Sequence, residues 1–160
     1  MSDEKRATVQ ELISAIQKAG KAEKVVEFQY PYVPNVFLRI SYASKQLLKM
    51  ITEEAKESFY NVQTRQQEDR LNDEKFNRAA ARELLKGWRG LTINGLKTIL
   101  AGRGEIVGDP EQEVTFDEEL AFTIMDASLE LQAWVINVAT NVTNFAKVAE
   151  RKADELKNLA

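Results

Sequence analysis

The chain has 160 residues, 44% hydrophobic and 29% charged, with a formal net charge of -3. That composition predicts one soluble globular domain able to bury about two thirds of its unfolded surface. Cysteine and histidine are both absent, which excludes disulfides, thiolate nucleophiles, imidazole acid/base chemistry and Cys/His zinc sites. The opening Met1-Ser2-Asp3-Glu4-Lys5-Arg6 is mixed in charge and leads into no apolar run of export-signal or membrane-spanning length, so a cytoplasmic protein is expected.

The acidity is unevenly spread. Lys75 to Arg103 holds seven basic residues (Lys75, Arg78, Arg82, Lys86, Arg89, Lys97, Arg103) against Glu83 alone, a local charge of +6. Nine acids and no base follow, from Glu105 to Glu130. The two segments either neutralise one another across the fold or form separate charged surfaces.

Thr8 is placed to cap a first helix with Val9, Leu12, Ile13 and Ile16 on one face and Gly20 as its stop, an amphipathic N-terminal arm over residues 1–23. Lys24–Tyr30 and Val36–Tyr42 are β-rich and flank Pro31-Tyr32-Val33-Pro34-Asn35, which predicts a hairpin over 24–42. Ser44 opens a helix with Leu47, Leu48, Ile51 and Ala55 on one face, extending to about Phe59. The polar stretch Gln63–Asn72 is a loop or an exposed helical continuation. Asp73 then caps a third helix carrying Phe76, Ala79, Ala80, Leu84 and Trp88.

Six of the seven glycines fall between Gly87 and Gly108, a density that excludes a continuous helix at ~1 kcal/mol per interior glycine. A Gly-rich loop over 87–114 with a short helix at Leu96–Leu100 is expected. Phe116 and Asp117 have the pattern of an apolar residue followed by an N-cap, with Glu118 and Glu119 suited to the positive end of the helix dipole. From Leu120 a stripe (Ile124, Ala127, Leu131, Val135, Val138, Val142, Phe145, Ala149, Lys152, Leu156, Leu159) recurs at three and four. That spacing predicts a long C-terminal helix, with a stutter at Leu131 and a break near Ser128 as the alternative.

The candidate chemistry is sparse. Gly90-Leu-Thr-Ile-Asn-Gly95 has the glycine spacing of a phosphate loop, but Leu96 displaces Lys97 from its required place, and Gly102 to Gly108 misses the dinucleotide spacing by one residue. Asp109, Glu111 and Glu113 alternate without the spacing of a calcium loop. No catalytic, cofactor-binding or metal-binding residues are assigned, and a non-enzyme without cofactors is expected. Trp88, Gly90 and Leu91 form a structural motif, a large anchor followed by a glycine suited to positive φ and a sealing apolar residue. The distal stripe (Trp134, Val135, Val138, Val142, Phe145, Leu156, Leu159) is a candidate partner surface, because its spacing continues past the length that a domain of this size readily covers.

The order of features over roughly 25–145 resembles the tail assembly chaperones of long-tailed bacteriophages. The likeness rests on an aromatic-ended hairpin, Tyr42, Ser44 and Leu48, a polar spacer, Trp88-Arg-Gly90-Leu91, a variable loop, Phe116-Asp117-Glu118-Glu119 and a closing amphipathic helix. It implies a non-enzymatic, mostly helical protein that binds tape measure protein and tail tube subunits in the host bacterial cytoplasm. The helix before Lys24 and the charged extension from Lys147 to Ala160 depart from that pattern.

Together these readings predict one domain over 1–160 of mainly α (α+β) class. It comprises the arm, the small N-terminal hairpin, a helical core over 43–145 and a charged helical extension over 146–160. A homo-oligomer is compatible with the stripe, and no membrane contact is expected. The alternatives are a nucleic-acid-associated factor using the basic helix 75–89 and a structural tail or head-completion component.

Overall fold

The computed structural model describes residues 6–146. The first helix, α1 (Val9–Lys21), starts where Thr8 Oγ1 accepts from the Glu11 N–H at 3.1 Å. β1 (Val25–Gln29) and β2 (Phe37–Ser41) pair antiparallel as the alternation predicts, closed by a turn in which Asn35 takes φ 63°. Ser44 caps α2 (Lys45–Ala55), its hydroxyl accepting from the Leu47 N–H at 3.2 Å.

α2 ends at Ala55, short of Phe59. β3 (Lys56–Asn61) and β4 (Gln66–Leu71) then form a second antiparallel hairpin where a helix end and a polar loop were expected. No glycine marks its turn. Asn61 Oδ1 instead accepts from the Gln63 and Thr64 N–H groups at 2.9 and 3.3 Å, and Arg65 takes φ 55°. Cross-strand side chains hold the ribbon: Arg70 donates to Glu57 at 2.9 Å and stacks over Phe59, and Ser58 donates to Asp69 at 2.9 Å.

Asn72, rather than Asp73, caps α3 (Asp73–Leu84), and the helix stops before Trp88. Residues Leu85–Arg89 form β5, which pairs antiparallel with β2 and completes a three-stranded sheet in the order β1-β2-β5. Gly87 explains the switch from helix to strand. It disfavours helix, and its bare Cα lies against Arg39 of β2, where an added Cβ would meet that side chain at 3.4 Å. Short α4 (Ile93–Ile99) is capped by Thr92.

The long C-terminal helix does not form. α5 (Glu118–Ala127), capped by Asp117, and α6 (Leu129–Thr140) are separated at Ser128, and a second break falls at Asn141. Ser128 serves both neighbours: its N–H donates to the Ile124 carbonyl at 3.0 Å and its hydroxyl accepts from the Leu131 N–H at 3.2 Å. The fold is therefore a mixed α+β arrangement with two small antiparallel sheets, not a mainly helical domain closed by one long helix.

α3 is the central element, packing on α2, α5, α6 and the sheet. Its Ala79, Ala80 and Ala81 are all buried, and these small side chains allow neighbours to approach from more than one side. Tyr30, Ile40, Ile51, Leu84, Met125 and Val135 fill the core between sheet and helices.

Candidate functional site

The Trp88 motif is an anchor between strand and loop. The Trp88 indole N–H donates to the Val114 carbonyl at 2.7 Å, and its ring meets Phe116 edge to face at 4.7 Å. Gly90 takes φ 78° at the end of β5, with the Asn35 carbonyl where a side chain would stand. Leu91 is buried behind it. The structure thus brings Trp88, Gly90, Leu91 and Phe116 together, with Asp117 opening α5, although Trp88 lies on a strand and not at a helix end.

The same knot occupies the backbone groups that a phosphate would need. The Ile93 N–H donates to the Gln112 carbonyl at 2.9 Å, the Asn94 N–H to the Pro110 carbonyl at 3.1 Å, and the Gly95 N–H to Thr92 Oγ1 at 3.1 Å. A phosphate loop leaves such donors facing its ligand, so this turn is built as structure. Asp109 Oδ1 accepts from the Glu111 N–H at 3.0 Å. Among the described residues no group of three or more carboxylates is arranged to hold a metal ion.

Much of the basic segment is paired. Arg78 meets Glu119, Arg82 meets Glu54 and Glu83, Lys86 meets Glu23, and Arg89 holds Glu27 through two nitrogens while stacking over Phe37. Those hydrogen bonds from Arg89 hold the Glu27 carboxyl below its ordinary range. Only Glu119 comes from the acidic stretch; the other partners come from β1 and its approach, α2 and α3 itself. Arg103 instead donates to the Leu100 and Ala127 carbonyls.

The C-terminal stripe is largely interior. Val135 and Phe145 are buried, Phe145 packing against Phe28 and Tyr42 at ring separations of 5.5 and 5.2 Å. Trp134 is half-buried with its ring edge-on to Tyr30 at 5.0 Å, and Val138 packs against the core. Of these residues only Val142 is exposed; Leu156 and Leu159 lie outside the described residues.

Among the described residues, an exposed apolar stripe lies at the other end of the chain. α1 buries none of its residues, and Val9, Leu12, Ile13 and Ile16 are 74%, 51%, 41% and 70% exposed. They lie at i, i+3, i+4 and i+7, one continuous face about 10 Å long. Among the described residues, the last turn of α1 is tied to the body through Ser44 Oγ donating to the Gly20 carbonyl at 3.5 Å and through Gln46 beside Gly20. An open cleft of 380 Å³ lies there, lined by Gly20, Ala22, Tyr42, Leu47, Met50 and Lys86, among others. The 3.6-residue period reveals this stripe in the sequence, but that no described element covers it is visible only in the fold.

A protein-family model described as YdaY prophage protein matches residues 39–158. The chain belongs to that family. The YdaY match spans β2 to beyond the end of the described residues and leaves α1 and β1 outside it. It marks the chain as phage-derived, in agreement with the phage half of the sequence resemblance. No curated protein and no solved structure matches the chain. Among the described residues no helix is long and apolar enough to cross a membrane.

Proposed function

We propose that this YdaY-family protein is a non-enzymatic assembly factor that acts in the host bacterial cytoplasm by binding protein clients, the tape measure protein or tail tube subunits, before the tail tube forms. The observation that carries this reading is the α1 stripe, four large aliphatic side chains held in helical register and, among the described residues, left exposed. Such a face recognises an apolar helical surface on a partner through anchors at i, i+3, i+4 and i+7. Membership of a prophage family and the resemblance to tail assembly chaperones supply the setting.

The nucleic-acid alternative is disfavoured by the ion pairs of Arg78, Arg82, Lys86 and Arg89, since those charges are already answered by carboxylates. The remaining alternative, a structural component, is separated by mass spectrometry of an induced lysate and of particles purified from it. An assembly factor is abundant in the lysate and absent from the particles. Stoichiometric retention in the particles would make it a tail or head component.

A further inference from the structure

We propose that, without a client, two copies of this chain pair through α1, stripe against stripe, with the helices antiparallel. The first ground is charge placement. Around the helix, Gln10 and Gln17 border the stripe on one side and Ala15 and Ala19 on the other, while Glu11 and Lys18 point away from it. A second copy therefore brings no like charges together at the seam, and antiparallel helices set their dipoles head to tail.

The second ground is shape. A two-fold axis between Ser14 and Ala15 sets Ile13 across from Ile16 of the other copy, and Val9, the end residue of the stripe, across from Gly20. Gly20 itself lies against Gln46 and borders the cleft that holds Leu47 and Met50, the latter 40% exposed. Every residue of α1 before Gly20 is exposed, which leaves the stripe open to a second helix along its first three turns.

The third ground is area. Covering the four stripe residues on both copies removes on the order of 800 Å² of surface, which with the flanking residues reaches the range of weak, reversible interfaces. An exposed 13-residue helix is also marginal in water without such cover. The pairing does not depend on the client reading: it is tested on the chain alone, the client reading by co-expression.

Sedimentation equilibrium of the full chain between about 10 μM and about 1 mM decides it, a span in which weak pairs form. The expected result is an average mass rising from 18.2 kDa toward twice that value, with Ile16→Asp remaining a monomer throughout. Glu11→Gln, on the opposite face, should associate like the wild type. Because α1 buries nothing, Ile16→Asp should keep the wild-type thermal melt, and Leu12→Asp provides a second cut through the same face. A wild-type chain that stays monomeric at the highest concentration overturns the proposal, as does a dimer that survives both stripe substitutions. Monomers that bind lipid vesicles through the stripe would also overturn it, assigning the face to a membrane surface.

Discussion

Gly90 is the residue at which backbone geometry leaves least choice. Its φ of 78° is unfavourable for a side chain, and a Cβ built there would stand 2.0 Å from the Asn35 carbonyl oxygen. Gly90→Ala is expected to cost more than about 2 kcal/mol, because either the β1–β2 turn or the end of β5 must move. A denaturant melt checks it, and wild-type stability would refute the close approach. Tyr30 makes a different kind of test. Burial pushes its phenol up from 10.0 to about 12, so the folded state holds the proton that the unfolded chain releases. That contribution is complete below pH ~10 and is lost as pH rises through ~12, about 3 kcal/mol in all at 1.36 kcal/mol per unit. Stability measured across this interval should fall more steeply for the wild type than for Tyr30→Phe. Parallel curves would mean that the hydroxyl is not desolvated.

At the scale of elements, what was legible in the sequence depended on whether the signal was local. Thr8, Ser44 and Asp117 cap helices because a short polar side chain ahead of an apolar period has one good use, and the first hairpin follows from alternation around a Pro-Asn turn. β5 was not legible. Leu84, Leu85 and Trp88 satisfy a helical period, and the strand wins only because β2 offers a partner across Gly87. The β3–β4 ribbon was hidden for a similar reason, its turn being made by the Asn61 side chain and its stability by charged cross-strand pairs rather than by an apolar face. Ser128 belongs to this scale too. It ends α5 and starts α6 from a buried position, so Ser128→Ala should cost about 0.5 to 2 kcal/mol. An unchanged melting temperature would show that the break is set by packing alone.

For the whole molecule, the sequence pattern and the fold place the apolar surplus at opposite ends. Periodicity alone marks the C-terminal stripe as the longer surface, but two breaks turn it inward, and Val135 and Phe145 become core. The first helix has the same periodicity over fewer residues, and among the described residues none of it is buried. The sequence singles out Trp88 as a helix-end anchor and the fold sets it on β5 against Phe116, whereas the candidate binding face is visible only in the fold. That a prophage protein presents such a face, with its basic segment largely occupied by internal ion pairs, is the basis for reading it as a protein-binding assembly factor. The most direct test is co-expression of the tape measure protein of the same prophage with this chain, or with its Ile16→Asp variant, measuring the soluble tape measure fraction and its co-elution. The wild type should raise that fraction and co-elute, and the variant should do neither while melting like the wild type. A tape measure protein that is equally soluble with the wild type, with the variant and alone would contradict the account.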